Sequence, residues 1–111
     1  MSLIPVAEFN EGQAEVGGLS LSFFDNAGAA LAPSTAKYRI DCDSNNQVIR
    51  DWTNVTPADV MAIDMAAADT VIITDTNNEE SRRVTVVLNE GLTTQFTEEF
   101  VYTIKNLKYF P

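Results

Sequence analysis

Residues 37–42, KYRIDC, alternate without a break. Tyr38, Ile40 and Cys42 fall on one side, and Lys37, Arg39 and Asp41 on the other. Such a run segregates apolar from charged side chains only as a β-strand; wound into a helix, it spreads them around the axis. The same period recurs along the chain. Leu19, Leu21 and Phe23 alternate with Ser20, Ser22 and Phe24. Val84, Val86 and Leu88 share one face of 83–88, and Phe100, Tyr102 and Ile104 alternate with Val101, Thr103 and Lys105 in 99–107. In 47–52, Val48, Arg50 and Trp52 lie on one face and Ile49 and Asp51 on the other, with Trp52 placed to plug an edge of the core. No sustained helical period competes.

Turn residues separate these runs: Asp25-Asn26-Ala27-Gly28, Asp43-Ser44-Asn45-Asn46, Asp75 to Ser81 and Asn89-Glu90-Gly91. Residues 35–42 and 47–52 therefore read as a hairpin. Pro57, which has no ladder donor, marks 55–58 as a crossing segment. Residues 60–68, VMAIDMAAA, allow two readings. Thr56, Pro57 and Asp59 resemble a helix start, but Met61, Ile63 and Met65 alternate with Asp64 outward, and a strand is preferred. Thr70 to Thr74, rich in β-branched residues, adds a further short strand. The sum is an all-β chain of about seven strands, a single Ig-like or fibronectin-like antiparallel β-sandwich over 18–111. Residues 1–17 form an N-terminal arm or an edge strand, packed on a neighbour or back on the same domain.

Composition narrows the function. With 111 residues the chain holds one domain, and 45 % hydrophobic content gives it a core. A net charge of −9 argues against nucleic acid or an anionic membrane as partner. There is no histidine, so the commonest general base and metal ligand is missing. Cys42, the single cysteine, has no disulfide partner within the chain and reads as a small buried apolar residue. The opening MSLIPVAEFNEG has neither a basic region nor a long apolar run, so no signal peptide is expected, and no stretch reaches membrane-spanning length.

Asp41, Asp43 and Asn45 match the first alternating positions of a calcium loop, but Asn46 stands where the turn glycine belongs and Trp52 where the bidentate glutamate belongs. A different inter-loop site would have to draw on Asp25, Asp75 or Glu80. Carboxylate pairs arise by chance among 16 acidic residues, and Asp41, Asp51 and Asp64 all alternate outward. No enzymatic activity, catalytic residue, metal or cofactor is expected. Arg82-Arg83, the one basic pair, reads as salt-bridged to Glu79, Glu80 or a neighbouring strand's aspartate. Phe23, Tyr38, Trp52, Phe100 and Tyr102 belong to the core rather than to a carbohydrate platform. Phe9, Phe24, Phe96 and Tyr109 are the candidate contacts with partners.

Four pieces, LSLSFFDNAGAALAPSTAKYRIDC, QVIRDWTNVTPA, RRVTVVLNEG and FVYTIKNLKY, resemble short Ig-like or fibronectin-like proteins encoded among phage and prophage virion genes. The resembling elements are Tyr38 to Asp41, Asp51 to Thr53 with Pro57, Arg82 to Leu88, and Tyr102 to Leu107, spread over roughly 19–109. The resemblance implies a non-enzymatic virion component: a capsid decoration, head–tail joining or tail-associated protein. It would contact other virion proteins and its own copies in the particle, and it carries no catalytic residues to transfer. An adhesion or carbohydrate-binding sandwich module is the alternative.

Overall fold

The computed structural model describes all residues except 1–3, 25, 26, 30–32, 44 and 109–111, and the backbone alone of Ile4. Seven strands run in chain order: β1 (Ile4–Asn10), β2 (Glu15–Ser22), β3 (Ala36–Cys42), β4 (Val48–Asn54), β5 (Val60–Met65), β6 (Glu79–Leu88) and β7 (Phe96–Lys105). They form a five-stranded sheet, β1-β7-β6-β3-β4, and a two-stranded sheet, β2-β5. The architecture is an all-β, sandwich-like pair of sheets that does not close into a barrel. All pairings are antiparallel except β1 with β7, which is parallel.

The alternation read from the sequence sets the core. Leu19, Leu21 and Phe23 from the small sheet's side meet Met61, Ile63 and Met65 of β5. Opposite them lie Tyr38 and Ile40, Val84, Val86 and Leu88, and Phe100, Tyr102 and Ile104, all buried. Phe23 meets Phe100 edge-to-face, with centroids 5.6 Å apart. Cys42 is buried and makes no disulfide, and β5 is the strand its alternation implies, with Asp64 outward.

Three expectations are corrected. The strand at 70–74 does not form: a 3₁₀ turn at Ala67–Thr70 leads into bends. The backbone groups a ladder would use are taken by side chains instead. The Ile73 and Thr74 N–H groups donate to the Glu80 carboxylate, and the Val71 carbonyl accepts from Arg82. The N-terminal segment supplies the seventh strand instead, as β1 pairs from Ile4↔Phe100 to Asn10↔Lys105. Trp52 is not in the core and is 41 % exposed. Tyr38 pairs with Thr53 but Ile40 with Arg50, so β4 carries one extra residue there. That bulge reverses the alternation and turns Trp52 to the side of Lys37, whose Nζ sits 4.6 Å from the ring centroid. Asp41 is buried, because Arg39 (2.9 Å) and Arg83 (3.9 Å) lie over its carboxylate.

Arg82 and Glu80, both buried on β6, form an ion pair at 2.8 Å. Glu80 also accepts from Asn77 Nδ2, and Arg82 donates to the Ser81 carbonyl and contacts Cys42 Sγ. Burial opposes ionisation of Glu80. The Ile73 N–H, the Arg82 guanidinium, the Thr74 N–H and the Asn77 amide outweigh it and hold the carboxyl at about 2. Removing that charge leaves Arg82 buried and uncompensated, so Glu80→Gln is expected to cost about 3 kcal/mol in urea unfolding at neutral pH. The folded value lies below the ordinary 4.5, so this contribution is complete above about 4.5 and fades as pH falls towards 2. The gap between wild type and Glu80→Gln should narrow across that window; a gap independent of pH would contradict the assignment.

Candidate functional site

The sandwich is open on the side where the edge of β4 faces the edge of β5. A cleft of about 280 Å³ lies there, lined by Tyr38, Arg50, Asn54, Val55, Ala62, Ile63 and Asp64. Arg50 spans it. The β4 bulge places Arg50 opposite Ile40, on the core-facing row, from where it reaches the 3₁₀ turn. Its guanidinium grips Asp69 in a two-point pair, Nε to Oδ1 at 3.1 Å and Nη2 to Oδ2. Nη1 donates to the Tyr38 hydroxyl, and both terminal nitrogens lie 3.5 Å from the Asp64 carbonyl. Burial works against the Arg50 charge, but Tyr38 and Asp69 raise its pKa above the ordinary value.

Asp69 is the hub of this cluster. Its Oδ2 accepts from the Ala66 N–H at 2.8 Å, and its carbonyl accepts from the Tyr102 hydroxyl at 2.7 Å. Burial, with the Asp69 carboxylate adding to it, pushes the Tyr102 phenol well above its usual range. Every strong donor of Arg50 is engaged, so the cleft offers no free cation to an anionic ligand. Its carboxylates are held too: Asp69 by Arg50, and Asp64 Oδ1 by the Gly17 N–H at 2.7 Å. The arrangement ties β4, the 3₁₀ turn and β7 together. It does not assemble a nucleophile with a base.

The calcium-like run disperses. Asp41 pairs with Arg39, Asp43 lies 3.6 Å from Arg83, and Asn45 Oδ1 accepts from the Gln47 N–H. Asp75 pairs with Lys108, and Asp25 lies outside the described residues. Among the described residues no group of three or more His, Cys, Asp or Glu side chains is placed to hold a metal ion. Arg82 pairs with Glu80 and Arg83 with Asp41 and Asp43, as expected, and Arg83 also lies 3.6 Å from Glu99.

The four candidate contact residues are not brought together. Phe9 is 3 % exposed and stacks edge-to-face on Tyr102 at 5.5 Å, so it is a core residue and not a partner contact. The parallel pairing of β1 on β7 puts it there. Phe96 is half-buried against the core. Phe24 is 55 % exposed, just past the end of β2. Tyr109 lies outside the described residues. Sequence reasoning missed the Arg50–Asp69 pair, whose members are 19 residues apart and carry no motif. It also missed the exposure of Val16, Val48 and Val60.

The two outer faces differ in charge. Each of the seven lysines and arginines stands in an ion pair. Lys37–Glu90, Arg39–Asp41, Arg83–Glu99 and Lys105–Glu8 lie on or at the rim of the large sheet's outer face. The small sheet's outer face carries Ser20 opposite Ala62 and Ser22 opposite Val60. Comparison with protein-family models, curated proteins and solved structures returns no match.

Trp52 provides a clean probe because it is the single tryptophan. Trp52→Ala is expected to cost less than about 1 kcal/mol, against the 3 kcal/mol or more of a buried aromatic. Wild-type fluorescence should be red-shifted and readily quenched by acrylamide. A blue-shifted, protected emission would return Trp52 to the core.

Proposed function

We propose that the chain is a non-enzymatic structural protein of a bacteriophage virion, an Ig-like sandwich that works through contacts with other virion proteins and with its own copies. Strand order supports the Ig-like reading. The run β7-β6-β3-β4 follows the order of the G-F-C-C′ sheet of variable-type domains, and β2-β5 follows the B-E pair. The chain departs from antibody domains in lacking the inter-sheet disulfide and the buried tryptophan. Fold by itself does not name a function.

The observation that carries the reading is a saturated cleft beside open strand edges. Arg50 fills the β4–β5 cleft with its own partners, while the outward edges of β1, β2, β4 and β5 pair with no other strand among the described residues. A protein of this kind acts by presenting surface. The resemblance over 19–109 gives that surface its setting in the particle. An acidic exterior in which every cation is already paired suits selective docking over adhesion to nucleic acid.

Exposed Trp52 favours a second reading, an adhesion or carbohydrate-binding module. The two separate by experiment. Quantitative mass spectrometry of particles purified from an induced culture of the host encoding the chain should find it at many copies per particle. Its absence from the particles overturns the virion reading. Glycan binding that is lost in Trp52→Ala would establish the second.

A further inference from the structure

Among the described residues four strand edges are open, and three of them are obstructed. β1 carries Pro5, which has no N–H, and its register slips between Pro5 and Ala7. β4 carries Arg50 and Asp51 and two register slips. On β5, the Asp64 carbonyl lies 3.5 Å from both terminal nitrogens of Arg50, and Asp59 and Asp64 bring charge to the strand. β2 has none of these guards over most of its length. From Gly17 to Phe24, GGLSLSFF, there is no charge and no proline. Its one device is the irregular register between Glu15 and Leu19. From Gly18 to Ser22, the described residues make no backbone bond to β2 outside the β5 ladder.

We propose that β2 pairs antiparallel with β2 of a second copy about a two-fold axis at Ser20. The two small sheets then join into one four-stranded sheet, β5-β2-β2-β5. This deepens the multi-copy reading above and rests on it for its setting in a particle. In this register Ser20 meets Ser20, Leu19 meets Leu21 and Gly18 meets Ser22 of the other copy. An axis perpendicular to the sheet keeps Leu19 and Leu21 of both copies on the inner face, over their own cores. Phe24 follows one end of this paired stretch, and Val16 precedes the other beyond the irregularity at Gly17. Val16 (90 %) and Phe24 (55 %) are the two most exposed large hydrophobic side chains among the described residues.

Charge selects the occupant. Two copies of a chain at −9 repel each other, and an interface containing carboxylates would desolvate like charges. The large sheet's outer face offers the paired charges Lys105–Glu8 and Arg83–Glu99 to a self-contact, which would have to desolvate them. The β2 edge places none between Gly17 and Phe24. A backbone ladder with serines opposed at its centre is a contact this chain can make with itself.

The test is a charge swap at the axis, read by light scattering across a dilution series. The wild-type chain should approach twice 12.2 kDa as concentration rises. Ser20→Lys and Ser20→Asp each oppose like charges at the two-fold and should stay monomeric; their equimolar mixture should recover the dimer. Circular dichroism checks that each variant folds. If either does not, the Val16→Ser, Phe24→Ser double variant replaces it and should shift the dimer midpoint at least tenfold. A wild-type chain that is monomeric at every concentration overturns the proposal. So does an oligomer that persists in both single variants, although that result leaves the multi-copy reading standing. A β2 dimer from a chain absent from purified particles sinks the virion reading and leaves this contact intact.

Discussion

The Glu80 carboxylate and the Arg82 guanidinium meet inside the protein, two residues apart on the inward row of β6. Two charges removed from water are stable only where further hydrogen bonds satisfy them. Most of that demand is met from 71–77, by the Ile73 and Thr74 N–H groups, the Val71 carbonyl and the Asn77 side chain, while Arg82 Nε stays buried without a partner. Asn106, also buried, takes the Asp75 and Asn77 carbonyls from the other side. The connection from β5 to β6 is thus folded around three polar side chains rather than into a ladder. It caps the end of the sandwich at which the 3₁₀ turn, the β1–β2 turn and the end of β7 meet. Gly12 N bonds to the Thr70 carbonyl there, and Thr70 Oγ1 to the Gln13 carbonyl. Ile72 packs against the core from this loop, so the polar clamp also positions an apolar plug.

That arrangement explains which parts of the fold were legible in the sequence. Where a strand has antiparallel partners on both sides in regular register, as β6 has, alternation predicts burial residue by residue: Val84, Val86 and Leu88 in, Arg83, Thr85 and Val87 half-covered. Legibility fails where a single tertiary event overrides the local pattern. Val71 to Thr74 has the β-branched composition of a strand, but a carboxylate nine residues or fewer away captures its donors. Trp52 follows the period until one extra residue in β4 reverses it. Phe9 lies in an apolar stretch that reads equally as an arm or a strand, and its burial depends on a parallel pairing with residues near 104. Of the candidate site, the acidic partners of Arg82 and Arg83 were readable from neighbouring strands. The Arg50–Asp69–Tyr38 cluster was not, because it joins β3, β4 and the 3₁₀ turn with no fixed spacing.

Paired cations account for how the outer surfaces divide. Long arginine and lysine side chains lie across the exposed row of the large sheet, covering Asp41 and half-covering Thr85, Val87, Val101 and Thr103. They solvate that face and discourage edge or face contacts with other sheets. The small sheet has no basic residue at all. Its outward row is low, with Ser20 and Ser22 beside Ala62 and Val60, and it carries Asp64 near one end.

A two-stranded sheet is marginal by itself and is held here by what its inner face buries. Leu19 and Leu21 on β2 and Met61 and Ile63 on β5 share one buried cluster with residues of β1, β3, β6 and β7. These inner-face residues are already buried before any further strand is added to the small sheet. A strand that joins at β2 gains backbone hydrogen bonds and covers exposed valine and phenylalanine without disturbing packed side chains. A strand joining at β4 must displace ordered charge, and one joining at β5 must compete with Arg50 for the Asp64 carbonyl. The same sandwich thus has edges of unequal openness: Pro5 and a register slip guard β1, Arg50, Asp51 and two slips guard β4, and Arg50 lies over a β5 carbonyl.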